Sequence, residues 1–315
     1  MGLRSFCCIL PGRVRDQSPK FANGGGLDER ISAAMANAYR ASSTAEINRD
    51  HLERVEGHIN FVRRTPYERA PEAFLPGYDL PPMVSYEVTI HNARPIVNEL
   101  SLEREGFTLV QHKISCANER NPETMYDRYL EEMAPLIKNY FNASWVVPRR
   151  GSVVVRSAGG SSVPGVREPA RWAHIDYAPI AAPMLAAIEN QLQGIQARTY
   201  SRLMIIQTWH ALSPPPQDFP LAFCDGTSVH DTDLIAIDYT FRDVTFKLCV
   251  AHFNPAQRWY YFPEMTADEF ILFSCYDSEG HCSSRAAHSA FDNRRAYPNA
   301  KPRDSIEARF FVYYV

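Results

Sequence analysis

No Cys-x-x-Cys pair, no block of like charge and no apolar run long enough to span a membrane occurs in this chain of 315 residues. Its seven cysteines, at positions 7, 8, 116, 224, 249, 275 and 282, are odd in number and form no even framework. That points away from a disulfide scaffold and toward free thiols in a reducing, cytoplasmic setting. The formal charge of −3 is spread over mixed acidic and basic residues, which excludes a broad nucleic-acid face and a polybasic membrane patch. Five apolar residues before Pro11 are too few for a signal-peptide core, and Phe6 breaks the myristoylation pattern. Several catalytic signatures are missing too: the Gly-x-Ser-x-Gly elbow, the P-loop, His-Glu-x-x-His, the dinucleotide glycine fingerprint and the zinc deaminase pattern.

What the chain does have is an ordinary globular composition, 45% hydrophobic and 22% charged, enough for a large core in one elaborated domain or two. Residues 10–27, rich in Pro, Gly and charge, read as an arm. From Asp28 to Arg64 the spacing predicts helix, with Ile31, Met35 and Tyr39, then Leu52, Val55, Ile59 and Val62, three or four apart. "VSYEVTIHNARPI" and "FTLVQHKIS" read as strands. Residues 123–141 form the clearest amphipathic helix, with Met125, Tyr129, Met133, Leu136 and Ile137 on one stripe. A second helix carries Pro183 in its first turn and places Met184, Ile188, Leu192 and Ile195 on one face. Six short strand signals fill the chain from 201 onward. The fold class is therefore mainly β with added helices, a sandwich or barrel rather than a parallel α/β sheet.

The stretch "RWAHIDYAP", residues 171–179, puts His174 and Asp176 two apart in an extended run. On a strand both side chains point to one face. An imidazole and a carboxylate on a shared face are two of the three ligands of a non-haem iron centre. A third ligand has to come from a distant strand, and the downstream histidines are His210, His230, His252, His281 and His288. Context favours His288, which follows the strand signal "FILFSCYDS" and precedes "PRDSIEARFF". In that last strand Arg303, Ser305, Glu307 and Arg309 alternate with Ile306, Ala308 and Phe310, a polar face opposite an apolar one. Two arginines on the inner face of a barrel are costly unless anions sit beside them. Glu307 compensates one, and the other is free to grip a carboxylate with two hydrogen bonds.

The order His-x-Asp, distal His, Arg-x-Ser resembles that of the double-stranded β-helix (jelly-roll) oxygenases that use Fe(II) and 2-oxoglutarate. The similarity is to a microbial and fungal subgroup that includes the cephamycin methoxylase-type protein, gibberellin desaturase and AsaB-type hydroxylases/desaturases. It is carried by "IHNARP", "LEREGFTLVQH", "AHIDYAP", "FPLAFCDGTSV", "NPAQRWYYFPEMTADEFILFSCYDS", "HSAF" and "PRDSIEAR", over roughly residues 58–315. The resemblance implies an N-terminal arm with helices over 1–57 and a jelly-roll oxygenase domain over 58–315, His174, Asp176 and His288 as ligands of Fe(II), and open positions for 2-oxoglutarate and O₂. It implies Arg303 on the distal carboxylate of 2-oxoglutarate with Ser305 beside it, and Arg309 as the competing anchor or the partner of Glu307. The implied reaction is hydroxylation, desaturation or ring formation on a small secondary metabolite. Tyr177 and Trp209 are candidates to line its pocket. One departure stands out. Where the subgroup has Asn-x-Trp-Arg-Pro, this chain has "QTWHAL", with Gln207 for the asparagine and His210 for the arginine. A catalytically idle jelly-roll acting as a binding subunit is the alternative that this departure leaves. Expected partners are a small-molecule substrate, with neither nucleic acid nor membrane; oligomeric state stays open, a homodimer included.

Overall fold

The computed structural model describes residues 47–315 apart from 68–71, 74–79, 120, 162–164, 197, 242–243 and 281–284. The arm, the helix expected over 28–46 and His281 thus lie outside the described residues. In chain order the first strands are β1 (Arg54–Val62), β2 (Glu72–Ala73), β3 (Met83–Asn92) and β4 (Phe107–Gln111). Helix α1 (Pro122–Tyr140) leads into β5 (Trp145–Pro148), β6 (Val154–Ser157) and β7 (His174–Ile175). Helix α2 (Ala182–Leu192) precedes β8 (Arg202–Ala211), β9 (Leu221–Cys224), β10 (Leu234–Phe241) and β11 (Val244–Ala251). The last four are β12 (Trp259–Tyr261), β13 (Glu269–Asp277), β14 (His288–Ala290) and β15 (Asp304–Tyr314).

These strands form two sheets. The larger runs β1-β3-β12-β9-β14-β7-β11-β10 with β2 on β3; the smaller runs β4-β13-β8-β15-β5 with β6 on β15. One core cluster draws side chains from both, among them Phe223, Leu248 and Tyr260 from the first and Trp209, Phe273 and Phe311 from the second. The sheets therefore pack face to face, and the space between them is the barrel interior.

Alternation on two strands sorts the residues into layers. Leu203, Ile205, Trp209 and Ala211 of β8 join the interior cluster, while Met204 and Ile206 join a second cluster outside it. On β15, Phe311 and Tyr313 go in and Ile306, Ala308, Phe310 and Val312 go out. Helix α1 covers that outer layer with Met125, Tyr129, Leu130, Met133 and Ile137, as its stripe predicts. Each such side chain contributes about 1.5–3 kcal/mol by burial. Asn121 caps the helix by accepting from the Thr124 amide, and Pro122 starts it.

Two expectations need correction. Residues 54–62, expected helical, are strand β1, paired in antiparallel register with β3 from Arg54↔His91 to Val62↔Met83. Gly57, Ile59 and Phe61 are buried and alternate with the less buried His58 and Asn60, a period of two that the apolar spacing of 52, 55, 59 and 62 concealed. Position 58 lies within β1. Helix α2 forms where expected but turns a different face inward. Ala182, Leu185, Ala186 and Glu189 are buried, whereas Met184, Ile188 and Leu192 are 49%, 38% and 75% exposed. The cause is polar: the Glu189 carboxylate is drawn in to accept from the Arg150 amide at 3.1 Å and from Gln193 Nε2 at 2.7 Å. Among the described residues no helix is long and apolar enough to cross a membrane.

Candidate metal centre

Strand β7 is only two residues long, yet it fixes His174 from both sides. Its His174 pairs with Val250 of β11 and with His288 of β14. The chain bends just after Ile175, and Asp176 folds back beside His174. His174 Nε2 lies 3.3 Å and His288 Nε2 3.8 Å from the same oxygen, Asp176 Oδ1. The two imidazoles are 4.4 Å apart between ring centres. One ligand atom from each of the three residues lies within 4.8 Å of those of the other two, and all three residues are buried. Two ligands in adjacent positions on a metal, each about 2.1 Å from it, are separated by about 3 Å. The cluster is therefore near the spacing that one ion imposes.

The protonation pattern suits a cation. His174 Nδ1 donates to the Trp172 carbonyl at 2.8 Å, leaving the Nε2 lone pair facing Asp176. Burial, with His174 beside it, lowers the His288 pKa to about 3, so its imidazole is neutral. Burial alone would raise the Asp176 carboxyl. The charge of Arg309 overcomes it and holds the group well below the usual carboxylate range. Two neutral nitrogens and one carboxylate on a single face form the donor set of non-haem Fe(II) sites.

The second carboxylate oxygen is held from behind. Arg309 donates to Asp176 Oδ2 through Nε at 2.9 Å and Nη2 at 2.6 Å, and Gln207 Nε2 donates to it as well. Arg309 also bonds Glu307 at 3.0 Å and the Ser152 carbonyl at 2.7 Å. Glu307 meets Arg156 at 3.3 Å, and the two guanidiniums hold its pKa at about 2 against the burial that opposes ionisation. Arg309 is thus fully engaged in orienting Asp176. Neither Gln207 nor this use of Arg309 was foreseen, although the parity of β8 places Gln207 on the face of Trp209, which was read as inward.

Arg303 is different. It is 1% exposed, and its Nη1 donates to the Phe219 carbonyl at 2.8 Å. Its guanidinium lies 5.4 Å over the Trp209 ring, and its Nε has no hydrogen-bond partner. Among the described residues it forms no ion pair, and burial, with Arg156 nearby, lowers its pKa to about 9. Ser305, two positions along the same face, is buried with its hydroxyl unpartnered. Phe219 runs into β9, where Phe223 pairs with His288, so Arg303 lies toward the His288 side of the cluster.

The other histidines lie elsewhere. His210 is on the outward face of β8, under α1; Tyr129 bonds its Nδ1 at 2.7 Å, and its ring stacks on Phe270. Burial lowers its pKa to about 3. The departure at 210 therefore belongs to the outer core rather than to the site. His252 bonds the Val62 carbonyl and His230 is exposed at a short 3-10 turn. Tyr177 lines the cleft that opens on His174 and Asp176, a cavity of about 50 Å³. Trp209 packs under Arg303 instead.

Comparison with known proteins follows this geometry. A family model described as an oxidoreductase/YMDC permease-like domain matches residues 60–313. The chain is 32% identical over 241 residues to the Fe(II)/2-oxoglutarate-dependent dioxygenase nvfI of Aspergillus novofumigatus, covering 72% of this chain and 83% of that protein. It is 29% identical over 253 residues to the hydroxylase/desaturase efuI of Hormonema carpetanum, with the same coverage of 72% and 83%. Among solved structures, the iron and alpha-ketoglutarate-dependent endoperoxidase NvfI superposes with a TM-score of 0.69 at 28% identity, over 83% of this chain and 98% of that one.

Proposed function

Because the chain belongs to the Fe(II)/2-oxoglutarate-dependent dioxygenases, with their jelly-roll core, we propose that His174, Asp176 and His288 are its iron ligands. The protein is an oxygenase of small secondary metabolites that uses Fe(II), 2-oxoglutarate and O₂; the idle alternative gains no support from its relatives. The observation that carries the ligand assignment is the convergence of two imidazole Nε2 atoms on Asp176 Oδ1, between residues far apart in sequence. Bound iron with 2-oxoglutarate supplies the oxidising power for an unactivated C–H bond.

The protein's own residues do the rest. His174 stays in one tautomer because its Nδ1 proton is committed to Trp172. Asp176 offers Oδ1 alone, since Arg309 and Gln207 occupy Oδ2. Arg303 takes the distal carboxylate of 2-oxoglutarate. Two arginines competed for that role in the sequence; Arg309 already has Asp176 and Glu307, whereas Arg303 is a buried cation without an anion. Ser305 offers its free hydroxyl to the same carboxylate. The apolar walls of the cleft hold substrate and exclude water.

Hydroxylation, desaturation and ring closure all start from the same hydrogen removal, and the position of the substrate selects among them. The domain that does this is read as beginning with β1, slightly ahead of residue 58. The reading includes a cytoplasmic setting, in keeping with the buried free thiols of Cys116, Cys224, Cys249 and Cys275. The test is anaerobic addition of Fe(II) and 2-oxoglutarate. The wild type is expected to develop the weak charge-transfer colour of the chelate and to release succinate when O₂ is admitted. His174→Ala and His288→Ala are expected to bind no stoichiometric iron and show neither signal. Full iron content in either variant refutes the ligand set.

A further inference from the structure

The cleft beside Asp176 is lined by Arg149, Arg156, Arg167 and Arg309 as well as by Val154, Trp172, Tyr239, Phe246 and Leu248. Two carboxylates near this cleft, Asp176 and Glu307, are both bound to Arg309, with Arg156 also on Glu307. Arg149 takes no share of them. It follows the last residue of β5, and its amide donates to the Arg309 carbonyl at 2.9 Å, so it sits beside Arg309 on the neighbouring strand. It is 8% exposed. Its Nη1 donates to the Tyr177 hydroxyl at 2.6 Å, and its guanidinium lies 5.4 and 5.3 Å over the Tyr177 and Phe246 rings. Among the described residues it has no ion pair.

A guanidinium buried against two rings and one phenol is under-compensated, because ring faces return only part of the lost hydration. What would complete it is an acid group offering two oxygens to its planar donors. The surrounding walls are aromatic and aliphatic, so the rest of such a ligand is apolar. We infer that the substrate is an organic acid, an apolar skeleton bearing a carboxylate, and that Arg149 anchors this carboxylate with its guanidinium held flat by Tyr177 and Phe246.

The inference rests on the oxygenase reading above and adds the substrate class to it. It also divides the two unneutralised arginines by task. Arg303, toward the His288 side, serves the cosubstrate; Arg149, in the cleft beside His174 and Asp176, serves the substrate. The anchor fixes one end of the skeleton while the carbon to be oxidised is presented at the metal, which is how a single ion contact sets the site of attack.

The experiment uses the full-length protein with Fe(II) and saturating 2-oxoglutarate under anaerobic conditions, so that the cosubstrate site is filled. A set of aryl and terpenoid acids, 2-naphthoic and abietic acids among them, is titrated by calorimetry beside the matching methyl esters. Acids are expected to bind roughly 10- to 100-fold more tightly than their esters. Arg149→Met is expected to erase that preference while leaving the 2-oxoglutarate colour titration unchanged, and Arg149→Lys to restore part of it. Thermal midpoints of both variants report on folding. Equal affinity for acids and esters across the set, or an acid preference that survives in Arg149→Met, overturns the inference. So does a loss of 2-oxoglutarate binding in Arg149→Met, which would make this arginine the cosubstrate anchor. Absence of the chelate colour in the wild type would instead sink the oxygenase reading, and the acid-ester comparison would still decide for or against an anion site at Arg149.

Discussion

Replacing Arg303 by methionine is expected to leave the cosubstrate-free protein as stable as before, or more so, while weakening 2-oxoglutarate binding about 100-fold. The magnitude follows from the surroundings of the guanidinium. Burial lowers its pKa from the ordinary arginine range to about 9. A drop of that size corresponds to roughly 4–5 kcal/mol of unfavourable charge burial. Offsetting it are the hydrogen bond to the Phe219 carbonyl, about 1–2 kcal/mol including the cost of leaving that oxygen bare, and the contact with Trp209, about 1–2 kcal/mol. The balance is a gain of about 0–3 kcal/mol, or a thermal midpoint raised by up to about 6 °C. Binding goes the other way, since a two-pronged contact with a carboxylate is worth about 3 kcal/mol, a factor of about 100. Differential scanning fluorimetry with and without 2-oxoglutarate, beside a titration of the iron chelate colour, measures both numbers. A midpoint that falls by several degrees, together with an unchanged 2-oxoglutarate requirement, would refute the reasoning and return the anchor role to Arg309.

Arg309→Met should behave in the opposite sense: it takes the counter-charge from Asp176 and leaves Glu307 with Arg156 alone, so stability should fall by about 3–5 kcal/mol and iron affinity by about 10- to 100-fold, as read by chemical denaturation and a competitive chelator. Gln207→Leu, which removes the amide donor from Asp176 while Arg309 remains, should cost iron affinity about 10-fold with little change in fold, judged by the same chelator assay. Met133→Ala in α1 should destabilise by about 2–5 kcal/mol without altering iron or 2-oxoglutarate binding, because its layer lies outside the barrel. Glu269 accepts from Arg94 at 2.8 and 2.9 Å; burial would raise its carboxyl, but Arg94 and Gln111 hold it below the ordinary range. A group depressed in the folded state stabilises above its unfolded pKa and loses that contribution as pH falls through the folded value. Glu269→Gln should therefore cost about 1–2 kcal/mol at pH 7 and progressively less below about pH 4, followed by urea unfolding across pH.

The site was legible in the sequence where strand alternation could be read directly. His174 with Asp176, and Arg303 through Arg309 against Ile306 through Phe310, each declare a shared face within a few residues. Distal His288 needed the order of the motifs as well. Gln207 and Arg149 were hidden for different reasons. The first stood in plain view but read as a deviation, since nothing local tells a residue on β8 that Asp176 will fold back onto it. The second follows a four-residue strand, and its proximity to Arg309 arises only from strand pairing. Strand β1 was misread because the apolar positions 52, 55, 59 and 62 fit a helical spacing and mask the alternation of 57, 59 and 61, and its partner, β3, lies across a long connection. The turned face of α2 followed from a buried Glu189, which no pattern of apolar residues can announce.

Strand β15 and the residue before it carry Arg303, Glu307 and Arg309 on one face of the pleat and the seat of a helix on the other. A slip of one residue against β8 would drive Arg303, Glu307 and Arg309 into the greasy seam beneath α1 and turn Ile306, Ala308 and Phe310 toward Asp176. No partial version of that error is tolerable, because ions in the seam and hydrocarbon at the metal fail together. Quality control is thereby written into the pairing itself: a chain that has not found its register can neither bury the helix nor brace the aspartate, and so cannot arm dioxygen before it is properly folded.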